Sequence, residues 1–194
     1  MRRRTFDALA TAAGLVIAAV LLVAGILLAW GNSFVTSEVH TQLAAQQIFF
    51  PPNGSPAIKA PEFAAMHQYA GQQMTTGAQA EVYADHFIAN HLKAIGGGKT
   101  YAQLSAESLA QPKNTALAGQ VQTVFRGETL RGLLLNAYAF GKIATIMGFA
   151  AIGAFAGAAL MLILSVLGFV HERRTAPQAE IFPKLATKVE VSAS

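Results

Sequence analysis

Two apolar runs, Ala8–Trp30 and Ile143–Val170, contain no Asp, Glu, Lys, Arg or His. They constrain the fold more than any other feature of the chain. A helix needs roughly 20 apolar residues to cross about 30 Å of hydrocarbon. Only helices and closed barrels satisfy their backbone hydrogen bonds in that medium. Each run is long enough for one crossing, and the second exceeds the need. The expected fold is therefore all-α, with two transmembrane helices (8–30 and 143–170) flanking an extracytoplasmic helical domain (31–142). Charge usage fits this class. Only 12% of the residues are charged, against about 25% in a soluble domain.

Orientation follows from the basic residues at the run ends, because Lys and Arg near a span stay cytoplasmic. Arg2, Arg3 and Arg4 precede the first run, and Arg173 and Arg174 follow the second. Residues 1–7 and the tail 171–194 are thus read as cytoplasmic, and the tail as disordered. Trp30, Phe34, Tyr138 and Phe140 suit the opposite interface, where amphipathic rings collect. A cleaved signal peptide is the competing reading of the first run, but signal cores span only about 7–15 residues. The net charge of +4 is concentrated at the ends and does not point to nucleic acid. The chain has no cysteine, so packing or a partner must stabilise the exported segment.

Small residues recur within the runs. Gly153 and Gly157 form a GxxxG, and Ala150, Ala154 and Ala158 extend it. Ala10, Gly14 and Ala18 recur every four residues in the first run. Small side chains let helix backbones approach closely where lipid offers no hydrophobic gain. No ionisable residue lies within either run, which argues against a proton relay or ion pathway.

The middle segment reads as helices. Phe34, Val35, Val39, Leu43 and Ala44 have helical spacing and continue the first run outward to about Gln47. Pro51-Pro52-Asn53-Gly54 interrupts it. Pro61 starts another helix. The strongest helical pattern runs from Gln79 to Ile95, carried by Val82, Phe87, Ile88 and Leu92, and Gly96-Gly97-Gly98 stops it. Thr100 caps Tyr101–Gln111, and Asn114 caps a last helix that runs into the second span. No alternating strand pattern occurs.

Candidate chemistry centres on Glu81, Asp85 and His86. Glu81 and Asp85, four residues apart, share a helix face. Carboxylates with a histidine can hold zinc, manganese or iron, and His40 or His67 could complete such a set. His86 and His91 diverge on the helix, and no HExxH occurs. A solvated or interhelix hydrogen-bonded face is the plainer reading. No Cys nucleophile and no GxSxG are present. Gly96-Gly97-Gly98-Lys99-Thr100 lacks the spacing of a phosphate loop. No catalytic residue and no cofactor is expected.

Phe49 and Phe50, ahead of two prolines, need burial. Three placements remain open: the domain's own core, the outer leaflet, or a partner.

The stretches Gln46-Gln-Ile-Phe-Phe-Pro51, Tyr69-Ala-Gly-Gln72, Gly77-Ala-Gln-Ala-Glu-Val-Tyr-Ala-Asp-His-Phe-Ile88, Thr100-Tyr-Ala-Gln-Leu-Ser105 and Phe125-Arg-Gly-Glu-Thr-Leu-Arg-Gly-Leu-Leu134 resemble a family of uncharacterised actinobacterial two-pass membrane proteins. The resemblance covers nearly all of the chain apart from the tail. It implies a plasma-membrane protein of a high-GC Gram-positive bacterium and names no catalytic residue. Some members carry an aromatic ring-opening dioxygenase label. That activity needs an iron site, and no matching ligand set stands in this sequence.

Three functions follow, in order of preference. The first is a non-catalytic accessory or scaffold subunit of a larger envelope or respiratory assembly. Its partners would be membrane lipid and either another membrane protein or a second copy. The second is an extracytoplasmic ligand-sensing or binding module. The third is a metal-binding protein or enzyme using Glu81, Asp85 and His86. The interaction candidates are Ala150, Gly153, Ala154, Gly157, Phe49 and Phe50.

Overall fold

A computed structural model describes residues 3–174, with side chains from Thr5 onward. Of the tail expected to be disordered, residues 171–174 form the end of α5, and the rest, from residue 175, lies outside the described residues. Among them the fold is all-helical. Helix α1 spans Arg3–Ala45. Two 3₁₀ segments follow, Pro56–Ile58 and Pro61–Tyr69. Then come α2 (Gly77–Val82), a π-helical segment (Tyr83–Ile88), α3 (Ala89–Ile95), α4 (Tyr101–Ala110) and α5 (Thr115–Arg174). Both α1 and α5 are long and apolar enough to cross a membrane. In each, only 17% of the most apolar window is buried within the chain. The core helix of a soluble protein would be mostly buried.

The helices form two compact units. The helix-pair unit takes α1 up to Leu28 and α5 from Phe149. Its antiparallel seam is built from small residues. On α1 one row of buried and half-buried positions runs Thr11, Gly14, Ala18, Leu21, Gly25 and Leu28. They alternate three and four residues apart, the 3.5-residue repeat that keeps one face toward a partner helix. Facing them on α5 are Ala151, Ala154, Ala158, Met161, Ser165 and Gly168. A Cβ added at Gly14 would meet the Ser165 hydroxyl, one at Gly25 the Phe155 ring, and one at Gly168 the Thr11 hydroxyl. Most of the large apolar side chains are exposed, with Val16, Leu27 and Ile152 each more than 60% exposed.

The middle unit comprises Ala29–Gly148. Its core gathers Leu43, Phe50, Ile58, Met66, Met74, Ile88, Leu92 and Leu134. Helix α1 ends at Ala45, two residues before the expected Gln47, which adopts a left-handed φ of 51°. The loop then doubles back. The Phe50 N–H donates to the Gln72 carbonyl at 2.9 Å and the Met74 N–H to the Ile48 carbonyl at 2.8 Å. This leaves a single antiparallel bridge, Phe49 with Gln73, and no strand among the described residues. Pro61 opens a 3₁₀ rather than an α-helix.

The helical pattern expected from Gln79 begins at Gly77, because Thr76 and Gln79 form a reciprocal capping box. Thr100 and Gln103 form a second, at the start of α4. The Asn114 carboxamide oxygen accepts from the Leu117 N–H at 3.0 Å and caps α5. Gly77 is needed for close approach. A Cβ there would lie 2.9 Å from the Ala137 carbonyl oxygen and 3.0 Å from the Tyr138 Cα, so α2 begins with its backbone against α5. A smaller cluster of Leu104, Leu117, Val121 and Val124 fixes α4 to the first turns of α5.

The π segment has a cause in the residue pattern. Ala80, Ala84, Ile88 and Leu92 are all buried, and they recur strictly every four residues. On a regular helix of 3.6 residues per turn, such a row drifts by about 40° at each step. The wider i→i+5 turn at Tyr83–Ile88 underwinds the helix and brings the row back onto one face. The backbone stays helical on both sides of it.

Candidate functional site

The two adjacent phenylalanines separate. Phe50 is 2% exposed and Phe49 58%. Phe50 packs against Tyr69 (ring centroids 5.3 Å apart) and edge-on against Tyr83 (5.4 Å). The ring contacts continue from Tyr83 to Phe87, and Phe87 and Phe63 both reach His91. Edge and tilted geometries at these distances suit the aromatic quadrupole. Burial pushes the Tyr83 phenol above its ordinary pKa. Phe50 thus serves the domain's own core, whereas Phe49 is left facing outward.

Glu81, Asp85 and His86 lie on or beside the π segment, and each is half-buried. Asp85 accepts from the Arg131 guanidinium on α5 at 2.7 Å, and Glu128 flanks the same arginine at 3.5 Å. The hydrogen bond to Asp85, against some desolvation, holds the Arg131 pKa above its ordinary value. The His86 carbonyl accepts from the Asn90 carboxamide at 2.7 Å, which ties these residues into their own helix. Among the described residues no three of His, Cys, Asp and Glu gather around one point. Asp85 therefore fastens the π segment to α5. Arg131 was missed as its partner because a 46-residue separation leaves no local signal.

The small residues proposed for interaction divide as well. Ala154 and Ala158 lie in the seam of the helix-pair unit, and Gly157 faces Leu21. Ala150 and Gly153 are exposed, and a side chain at Gly153 would enter open space.

An apolar groove of about 530 Å³ lies in the middle unit. One wall comes from α1 at Phe34, Val35, Val39 and Leu43, and the other from α5 at Leu130, Leu133, Leu134, Ala137 and Phe140. Leu43 and Leu134 are buried, while Phe34, Leu133 and Phe140 are more than half exposed. Glu38 and Gln42, one helical turn apart on α1, and Gln46 just past its end border it with polar groups. A mostly apolar pocket of roughly 300–1,000 Å³ with a few polar groups is the usual form of a ligand site. The α1 half was visible in the sequence as helical spacing. The α5 half was not, because pairing the two helices needs the tertiary fold.

A second, more polar hollow of about 260 Å³ lies between Thr36 and His40 on α1, Thr75 and Thr76, and Tyr138 and Lys142 on α5. The Thr75 and Thr76 hydroxyls already donate to the Gln79 carboxamide.

Compared with protein-family models, curated proteins and solved structures, the chain matches none of them.

Proposed function

We propose that this chain is a two-pass protein of a bacterial plasma membrane, with cytoplasmic termini and residues 31–142 outside. It works without catalysis, as an accessory or scaffold subunit of a larger envelope or respiratory assembly. Membrane placement is supported by the many large apolar side chains that the helix-pair unit leaves exposed, a surface of the kind that marks membrane contact. The subunit role is carried by apolar side chains exposed on the middle unit away from either run. Leu109 on α4 is 80% exposed and Phe49 is 58% exposed.

Cysteines placed at Gly54 and Gly97 should react with an impermeant thiol reagent in whole cells, and one at Ser192 should not. Labelling at Ser192 in intact cells overturns the orientation. For the subunit role, full-length protein is extracted in mild detergent and the proteins that accompany it are quantified. Leu109→Asp and Phe49→Ser should remain folded and lose a stoichiometric partner. Unchanged co-purification in the double variant removes this reading.

The groove favours a second reading, that of a ligand-binding module outside the membrane. Its volume and apolar lining with a polar border suit a small molecule better than a flat protein surface.

A further inference from the structure

We infer that the groove between α1 and α5 in the middle unit holds one hydrocarbon chain of a membrane lipid. The inference rests on the membrane placement proposed above and gives the ligand-binding reading its chemical class. One end of the groove opens where the apolar runs end. Phe34 and Phe140 line it there. Phe34 stacks on Trp30 at 5.6 Å, and Phe140 stands one turn from Ile143, which is itself 48% exposed. Within this unit an apolar surface therefore continues from the last residues of each run to the buried Leu43 and Leu134. Glu38 is the only charged residue among those lining the groove.

The dimensions admit a chain. From Phe34 to Ala45 the α1 wall is about 17 Å long at 1.5 Å per residue, and a single file of methylenes, roughly 4 Å wide by carbon contact distances, fits a groove of about 530 Å³. The continuity of the groove with the apolar runs selects a lipid chain over a partner helix. The border also bears on the headgroup. Glu38 is the one ionisable residue lining the groove, which favours a neutral or zwitterionic headgroup over an anionic one.

The test uses full-length protein in vesicles of phosphatidylethanolamine doped with the same lipid carrying an alkyl diazirine near one acyl terminus. After illumination, labelled positions are mapped by mass spectrometry. Label is expected at Leu43, Leu134 and their neighbours, with excess unmodified lipid competing for it. Gln42→Trp fills the groove from its exposed edge, and Leu133→Asp puts a charge on an exposed wall position. Each should lower groove labelling about tenfold, leave labelling of 8–30 and 143–170 unchanged, and keep the wild-type melting temperature. Leu109→Asp, outside the groove, should label like wild type. Label confined to the two runs, or groove label indifferent to Gln42→Trp, overturns the inference while leaving membrane placement intact. A photoreactive amino acid at Leu133 that captures a protein instead of lipid overturns it in favour of a partner helix. Protein that fails to float with the vesicles refutes the membrane placement itself.

Discussion

At Gly14 the nearest group across the seam is a serine hydroxyl; at Phe50 it is a pair of tyrosine rings. The helix-pair unit and the middle unit are both helical, yet they bury opposite ends of the size scale. The first buries mainly Gly, Ala and Ser and leaves most of its Val, Leu, Ile and Phe exposed. The second buries Phe50, Ile58, Met66, Met74 and Leu104 to 2% or less. Burying large apolar groups stabilises a unit only where the alternative is water. Where the alternative is lipid, close backbone contact takes over and small residues mark the interface. Secondary structure alone does not reveal this difference, but the size of the inward-facing residues does.

The largest expected effect falls on the middle unit. Phe50→Ser removes a fully buried ring and should cost about 3–5 kcal/mol, a large share of the stability of a small domain. Phe49→Ser should be close to neutral. Limited proteolysis of the two variants in mild detergent reads the contrast, and equal sensitivity would break the assignment of Phe50 to the core.

In the helix-pair unit the sign of the size effect reverses. Ala151→Leu and Ala158→Leu add volume at seam positions only 4% and 2% exposed. They should weaken helix pairing by about 1–2 kcal/mol. Gly153→Leu, which points into open space, should leave that pairing unchanged. Disulfide trapping between cysteines at Leu21 and Gly157, which face each other, measures all three. A larger loss from Gly153→Leu than from Ala158→Leu would move the seam onto the GxxxG face.

A smaller effect is expected at Arg131–Asp85. The pair is short, but both side chains are about one-third exposed. Asp85→Asn should therefore cost only about 0.2–1 kcal/mol, and raised salt should shrink the difference. Thermal melts at two ionic strengths read it.

The smallest expected effect is the alkaline pH response of Tyr83. Its folded-state pKa is raised by burial, so the neutral phenol is favoured in the folded state. That contribution is fully present below the unfolded value, about pH 10, and is lost as pH rises through the folded value. Melts should be flat up to about pH 10 and fall above it, and Tyr83→Phe should flatten that fall.

Much of this architecture was legible. The two runs, the caps at Thr100 and Asn114, the Gly96-Gly97-Gly98 stop and the outward continuation of the first run are local signals, and each stands where local chemistry puts it. The split between Phe49 and Phe50 was not legible. Both neighbours are large and apolar, and a single bridge to Gln73 decides which one turns inward. The seam was half legible. Gly14 and Ala18 were marked by spacing, but on α5 small residues occur on several faces, and only pairing with α1 selects Ala151, Ala154 and Ala158 over Ala150 and Gly153. The groove joins segments about ninety residues apart, beyond the reach of any periodicity.

The underwound turn at Tyr83–Ile88 bears on how distant relatives of this chain would be recognised. A π turn accommodates one residue more than an α turn. A relative folded without it would carry a one-residue deletion within 83–88, and its buried positions would return from strict fours to mixed threes and fours. An alignment forced through without that gap would place the counterpart of Leu92 about 100° around the helix from its true position. Sequence identity downstream would then be underestimated. Allowing a gap at this one turn is a concrete way to search for kin.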